Sequence, residues 1–400
     1  MRKYFEGNVI KLILFFCFYL CLHTLTANAK TFLPLNLQEL QTKLDIAMHS
    51  RLATYNLSYI GDPSTIKVDV ANIINNIYDK DDYLKYSCKS YRYTASAKGN
   101  IIAIKFTFNY WNTLTQDMYV ENEVNKILTQ IISPDMNSYE KEKAIHDWIV
   151  KNVQYDVSLI NHSDFDALIY PYKTVCQGYS LLAYKMLNKV GIPTKIIEGV
   201  SRGEAHTWNL VNLDGIWYHL DITLDDPVPD LMNSINYDYY NLTDSQISVN
   251  HSWIKAYPPS KTDFSNSIKL KLTANDKNSA FYAQLFTDLG LIYLSDDYTV
   301  HNSIELKSKL LAAVKSRKNS INLRYLNSSL LSTDIEYALR DMPDITSYSY
   351  SKMDYSRTIQ SNDVIFKLKI NYFISPYLNS TDFPFTKPKL LAGSPINSAV

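Results

Sequence analysis

A predicted helix followed by a tight hairpin constrains the fold of this chain more than any other segment. Apolar residues recur at helical spacing after Cys176 and stop at Gly191 and Pro193, so Cys176 is expected at or near the start of an amphipathic helix. Asp214 and Gly215 then predict a two-residue type I′ turn between two antiparallel strands. A helix packed beside an antiparallel hairpin predicts the α+β fold class.

The hairpin brings two polar side chains to one face of the predicted sheet. If Leu213 and Ile216 flank the turn, His206 is expected opposite Thr223. Asp221 is then the diagonal neighbour of His206, because residues two apart on a strand share a face. A shift of one residue in the register would move Asp221 to the other face, so this geometry is a strict expectation.

Cys176, His206 and Asp221 are the residue types of a thiol acyl-transfer site. The start of a helix favours negative charge and lowers the pKa of a thiol, and the backbone N–H of Cys176 is placed to donate to an oxyanion. An aspartate that holds one imidazole nitrogen leaves the other free to face the cysteine. Each residue alone is also compatible with ordinary packing, but the combination predicts a nucleophile, a general base and an orienting residue.

Three further residues are candidates for substrate binding or for an oxyanion hole: Tyr172, Gln177 and Trp208. Tyr172, or a backbone group near it, is a candidate second donor to the oxyanion. Trp208 is expected opposite Asp221, where it would either form a wall of the site or pack in the core.

The remaining histidines and acidic residues predict no metal site. His146 lies on a predicted helix that Asn137 caps, and burial is favoured over a place in the cleft. Asp225 and Asp226 lack the alternating oxygen ligands of a calcium loop and predict a structural turn. The histidines do not follow zinc-site spacings, so we expect neither a metal nor another cofactor.

The N-terminal residues predict an export signal over 1–29. A basic start precedes an apolar run at 12–22, and Ala27 and Ala29 suit a cleavage site. An uncleaved anchor helix is the alternative, but the run is shorter than the roughly 20 residues that span a membrane. We therefore expect a secreted or cell-surface protein without a membrane segment after removal of the signal.

Charge and cysteine content narrow the function further. Lysines and arginines number 40, as do aspartates and glutamates, so nothing indicates binding to nucleic acid. Removal of the predicted signal leaves Cys88 and Cys176. A disulfide between them is one alternative, but the setting of Cys176 favours a free thiol, and Cys88 receives no role.

Two small α/β modules are predicted to flank the central segment. Both have the order helix, strand, helix, strand, strand, and identical residues recur at one offset, from the pair Glu39 and Glu305 to the pair Tyr59 and Tyr325. Chance similarity of two amphipathic helices is the alternative. The predicted domains are an N-terminal module at 30–118, a central domain at 119–260, a C-terminal module at 275–375 and a disordered tail at 376–400.

The central motifs resemble the transglutaminase-like core of the papain-like superfamily. The resemblance rests on Thr174–Ser180, Glu204–Asn209 and Asp221–Pro227 and covers roughly residues 138–255. It implies a helix-borne cysteine beside an antiparallel sheet, with Cys176 as nucleophile, His206 as general base and Asp221 as orienting residue.

The resemblance is compatible with two enzymatic reactions, and a non-catalytic function is the alternative to both. Family members include protein-glutamine transglutaminases, cysteine peptidases and inactive proteins, so the expected substrate is a protein or peptide amide. An amine or water would release the acyl group. The alternative is a surface-binding or scaffolding protein, in which the flanking modules do the work. The sequence predicts no oligomeric state.

Overall fold

The computed structural model describes residues 34–229, 235–274, 277–342, 344–353 and 362–373. The predicted signal at 1–29 and the predicted tail at 376–400 lie outside these ranges. Among the described residues, no helix has the length and apolar character needed to cross a membrane. The chain divides into two compact units. One contains the described residues up to Ile77 with Tyr91–Phe108, and the other contains Tyr78–Ser90 and the rest from Asn109 onward.

The first unit is a three-stranded sheet with helices. Its elements are α1 (Leu37–His49), β1 (Thr54–Ile60), α2 (Ile66–Tyr78), most of β2 (Cys88–Lys98) and β3 (Ile101–Tyr110). The strand order is β1-β3-β2. Asn36 and Glu39 form a capping box at the start of α1, and apolar residues of both helices and of β3 fill the core.

The second unit carries the predicted site. Its elements up to the site are α3 (Asp82–Ser87), α4 (Leu114–Ile131), α5 (Ser138–Asn152), β4 (Gln154–Tyr155), α6 (Asp164–Leu168), β5 (Lys173–Thr174), α7 (Cys176–Lys189), β6 (Thr194–Ser201), β7 (Glu204–Leu213), β8 (Ile216–Leu220), α8 (Ile222–Asp225), α9 (Asp244–Ile247) and β9 (His251–Trp253). Strands β8-β7-β6-β9 form an antiparallel sheet in this order, and β4 pairs with β5 in parallel.

Elements after the site complete this unit. They are α10 (Phe264–Thr273), α11 (Ser279–Asp288), β10 (Thr299–Val300), α12 (Ser303–Lys315), β11 (Ser320–Tyr325), α13 (Leu331–Leu339), β12 (Ile345–Met353) and β13 (Val364–Tyr372). The last four strands form a sheet with the order β10-β11-β13-β12. Mixed helices and antiparallel sheets confirm the α+β fold class.

The hairpin of β7 and β8 confirms the predicted turn and register. Asp214 and Gly215 both have positive φ, as a type I′ turn requires, and Leu213 pairs with Ile216. The predicted pairing of His206 with Thr223 is wrong. The chain leaves the sheet after Leu220 and turns into α8, so the ladder stops before it reaches His206.

Helix α7 lies between this sheet and the other helices of the unit. It begins at Cys176 as predicted, and Gly191, with φ 86°, follows its C-terminus. Leu182, Met186 and Leu187 are fully buried in the main core, which also contains apolar residues of α4, α5 and β8. The predicted capping box at the start of α5, formed by Asn137 and Glu140, is also confirmed. Helix α7 therefore packs against both the sheet and the core, and this packing fixes the position of Cys176, its first residue.

Two predicted domain boundaries differ from the packing. The boundary at 118/119 falls inside α4, whose Val120 and Val124 belong to the main core. The boundary at 260 precedes α10 and α11, which add Phe264 and Tyr282 to the same core. The main core therefore begins within α4 and continues past residue 260, the predicted end of the central domain.

Three strands of each terminal module follow a similar order, β1-β3-β2 in one sheet and β11-β13-β12 in the other. The second sheet has the additional strand β10, and the first module has the short helix α3 between α2 and β2. Asn56 pairs with Lys105 in the first sheet, and Asn322 pairs with Lys367 in the second. That the two modules are copies of one unit stays a prediction from the sequence.

Candidate active site

Cys176 is the first residue of α7, at a helix start that no side chain caps. Val175 occupies the N-cap position and makes no side-chain cap hydrogen bond. The first N–H groups of a helix have no acceptor within it, so those of Cys176 and Gln177 point out of the helix start. The combined dipole of the helix favours negative charge at this position, either on the sulfur or on an oxygen bound beside it.

Gly178 allows the start of α7 to pack closely on the segment before it. A Cβ at this position would lie 1.9 Å from Thr174 Oγ1 and 2.6 Å from the Ser163 carbonyl oxygen. Thr174 donates its hydroxyl to the same Ser163 oxygen. The glycine is therefore required by the close approach that fixes the position of Cys176.

His206 on β7 is paired with Asp221, which follows β8. His206 Nε2 lies 2.7 Å from Asp221 Oδ2. Because a carboxylate only accepts, Nε2 carries the proton and Nδ1 is left for another partner. Asp221 is fully buried and is the N-cap of α8, where its Oδ1 accepts from the Leu224 backbone N–H. The short helix therefore holds the aspartate where a continued strand was predicted.

The electrostatics link Cys176 to this pair. Burial favours the neutral thiol, but the hydrogen bond and charge of His206, with a smaller effect of Thr207, lower the pKa of Cys176 below its usual value. Burial likewise disfavours a charged His206, but Asp221 and Cys176 outweigh it and raise the pKa of His206 to about 10. Both pKa shifts act in the direction that favours a thiolate beside an imidazolium.

A second histidine, His251 on β9, shares the same carboxylate. Its Nε2 lies 3.0 Å from Asp221 Oδ2, and its ring is buried. The pKa of Asp221 is far below its usual range because His206 and His251 together outweigh the effect of burial. His251 is not among the residues predicted from the sequence, because a three-residue strand after a long connection carries no periodic signal for its register.

The three further candidates for substrate binding or an oxyanion hole lie in three different positions. Trp208 is 1% exposed, its ring is 6.0 Å from that of His206, and its Nε1 donates to His219, so it packs in the core and offers no surface to a substrate. Tyr172 is exposed, has φ 60° and accepts from the Gln154 N–H through its carbonyl.

Gln177 is tied to a neighbouring segment. Its Nε2 donates to the Tyr86 carbonyl oxygen at 2.6 Å. Tyr155 at the end of β4 lies close enough to Cys176 for the sulfur to raise the pKa of its phenol, with burial the larger cause. Tyr155 was not among the predicted site residues, although its partly buried phenol interacts electrostatically with Cys176.

His146 is buried, as predicted, in a separate charged cluster. Its Nδ1 lies 3.0 Å from Asp147 Oδ1 and its Nε2 lies 3.2 Å from Asp225 Oδ2. Burial opposes its charge, but the two carboxylates raise the pKa of His146 to about 9. Asp226 accepts from the hydroxyl of Tyr179. Asp225 and Asp226 therefore stabilise the segment after α8, in agreement with a structural turn.

Cys88 and Cys176 are not joined in a disulfide bond. His206, Asp221 and His251 offer ligand atoms that lie within 4.8 Å of one another. Two imidazoles and a carboxylate are a donor set that zinc accepts, although their distances here are those of hydrogen bonds. Their spacing along the sequence gave no sign of this cluster.

A thiol at a helix start, beside an antiparallel sheet with a buried histidine–aspartate pair, defines the papain-like class of α+β folds. Residues 125–222 match the model of the Transglutaminase-like superfamily. The chain therefore contains a transglutaminase-like domain, and the resemblance noted in the sequence is confirmed.

Two curated relatives are similar over the same part of the chain. Kyphoscoliosis peptidase of Mus musculus is 25% identical over 177 residues, which are 37% of this chain and 27% of the relative. Its counterpart in Homo sapiens is 24% identical over 173 residues, 36% of this chain and 26% of the relative. The chain thus spans about a quarter of the length of these relatives.

Among solved structures, the crystal structure of a TGase is 14% identical, with a TM-score of 0.24. The match covers 45% of this chain and 57% of that chain.

Proposed function

We propose that the protein is a thiol enzyme that cleaves or transfers the acyl group of a protein or peptide amide. Cys176 is the nucleophile, His206 is the general base and acid, and Asp221 orients His206. The observation that carries this proposal is the position of His206. One of its nitrogens is held by Asp221 at 2.7 Å, and the ring is close enough to Cys176 to lower the pKa of the thiol.

The first half of the reaction forms a thioester. The Cys176 thiolate attacks the amide carbonyl, and the oxygen becomes negatively charged beside the free N–H groups at the start of α7. The His206 imidazolium gives its proton to the departing amine or ammonia as the carbon–nitrogen bond breaks. Asp221 stays ionised and holds the ring in place throughout.

The second half releases the acyl group. Neutral His206 takes a proton from water or from a primary amine as that nucleophile attacks the thioester, and Cys176 leaves as the thiolate. Water gives a carboxylate product and makes the protein a peptidase. An amine gives a new amide and makes it a transglutaminase. The names of the two curated relatives favour the peptidase, and the family model supports the transferase as second candidate.

The site of action proposed for this enzyme is outside the cytoplasm, at the cell surface or beyond it. The support is the sequence of residues 1–29, with its basic start, apolar run and small residues at 27 and 29. N-terminal sequencing of the protein recovered from the producing cell tests it. A chain that starts at Lys30 supports export, and a chain that keeps its N-terminus and is recovered from the cytoplasm contradicts it.

One mass-spectrometric experiment tests the activity. The protein is incubated with a panel of unfolded proteins and an isotope-labelled primary amine, and Cys176→Ala is the control. Shortened peptides without label support the peptidase, and label on glutamine side chains supports the transglutaminase. If the wild-type protein and Cys176→Ala give the same products, the proposal is wrong and the binding or scaffolding alternative is favoured.

A further inference from the structure

His251 lies in contact with the proposed catalytic pair but has no part in the reaction described above. Its Nε2 is 3.0 Å from Asp221 Oδ2, the same oxygen that lies 2.7 Å from His206 Nε2. The two imidazole rings are 5.7 Å apart at an interplanar angle of 62°. One carboxylate oxygen therefore accepts from two rings that approach it from different directions.

The surrounding fold holds the His251 ring in one place. Strand β9 pairs with β6, with His251 opposite Ser201, and the ring packs edge-on against Trp208 at 4.9 Å. Its Nδ1 lies 2.6 Å from Asn250 Oδ1. The ring thus has a polar contact on each nitrogen and a tryptophan on one side.

Gly199 makes this approach of β9 to β6 possible. A Cβ at position 199 would lie 2.2 Å from the Ser252 carbonyl oxygen and 2.8 Å from the Trp208 ring. Any other residue would separate the strands or displace the tryptophan. The absence of a side chain at Gly199 therefore lets β9 approach β6 closely, and this approach places the His251 ring beside Asp221.

Each oxygen of the Asp221 carboxylate has a fixed donor besides His206. Oδ1 accepts from the Leu224 N–H at 3.2 Å, and Oδ2 accepts from His251. These two donors come from α8 and β9, so the carboxylate cannot rotate without losing one of them. The direction in which Oδ2 meets His206 is then set before a substrate binds.

We propose that His251 is a positioning residue, which holds Asp221 so that Oδ2 meets His206 Nε2 and His206 Nδ1 faces Cys176. It acts through Asp221 and touches no substrate. This inference rests on the proposed function, because it assigns His251 to the same reaction. Other titratable groups near the cluster are Tyr155 and Glu204 on the side of Cys176, Tyr239 and His219 around the rings, and the buried Asp225 near Asp221.

Two substitutions distinguish the effect of losing the hydrogen-bond donor of His251 from the effect of losing the volume of its ring. His251→Gln retains an N–H that reaches about as far as Nε2, and His251→Leu fills similar volume without any donor. The matched control is His219→Leu. His219 is also buried in this sheet, and its two ring nitrogens bond to Asp244 Oδ1, at 2.9 Å, and to Trp208 Nε1, not to Asp221. Its loss removes a comparable histidine–aspartate hydrogen bond without removing a donor to Asp221.

The test is the pH dependence of Cys176 alkylation by iodoacetamide in the full chain, measured without and with EDTA and corrected for the rate of Cys176→Ala. In His251→Leu we expect the rate at acidic pH to fall about tenfold, the effect of one lost hydrogen bond to a charged group, and the rise of the rate to move to higher pH. His251→Gln should recover most of the rate. His219→Leu should keep the wild-type profile even if it lowers stability.

Three results would overturn the inference, and a fourth would overturn the proposed function instead. A wild-type profile in His251→Leu, or the same altered profile in His219→Leu, makes His251 a packing residue only. A wild-type protein whose reactivity at acidic pH is lost on addition of EDTA assigns the cluster to a metal ion. If wild-type Cys176 reacts like an ordinary thiol at every pH, the proposed enzyme mechanism itself fails.

Discussion

Gly178 shows how strictly single residues set the position of the nucleophile. In Gly178→Ala the new Cβ meets Thr174 Oγ1 at 1.9 Å and the Ser163 oxygen at 2.6 Å, and the latter is backbone that cannot turn aside. We expect a loss of roughly 2 kcal/mol in the free energy of unfolding and slower alkylation of Cys176. Urea denaturation and labelling kinetics measure both. Unchanged stability would mean that the start of α7 is packed less tightly than described.

Individual residues also show which parts of the candidate site could be predicted from the sequence and which could not. Cys176, His206 and Asp221 were found because each lies in a motif with a regular helix or strand around it. His251 and Tyr155 were not, because they lie on strands of three and two residues, which are too short for any periodic pattern. Their contacts with the site depend on long connections whose course a single sequence does not reveal.

At the scale of elements, the β7–β8 hairpin depends on its turn. Gly215 has φ 87°, a conformation that costs other residues energy, so Gly215→Ala should lower the free energy of unfolding by about 1 kcal/mol. Asp214→Asn is the control, because asparagine suits the same turn and the exposed pair of Asp214 with Lys271 contributes little. Thermal unfolding of both variants gives the comparison. Equal losses would contradict the assigned turn type.

The same hairpin also shows what turn residues and strand periodicity do not predict. Turn residues and apolar alternation were enough to predict the register of β7 with β8 correctly. They were not enough to place the end of β8, because Asp221 caps α8 with its own side chain and so stops the ladder. Asp221 nevertheless contacts His206, but it does so from the N-cap position of α8 and not from a strand.

At the scale of the whole molecule, the buried His146 predicts how stability depends on pH. Its pKa is raised from 6.5 to about 9 in the folded chain, so its contribution is complete below pH 6.5 and is lost as the pH rises through 9. The free energy of unfolding should therefore decline over this range. In His146→Gln, which keeps hydrogen-bonding capacity without a charge, the decline should be smaller. Parallel pH curves for the two proteins would show that His146 is uncharged.

The central claim is that Cys176 and His206 form a thiolate–imidazolium pair, and one titration tests it most directly. The ultraviolet absorbance of the thiolate is followed against pH in the wild-type protein, in His206→Gln and in Cys176→Ala, whose signal accounts for Cys88. We predict that wild-type Cys176 is already ionised well below the pKa of an ordinary thiol, and that His206→Gln loses this ionisation. A wild-type thiolate that appears only near the ordinary thiol pKa, or that is unaffected by His206→Gln, would contradict the claim.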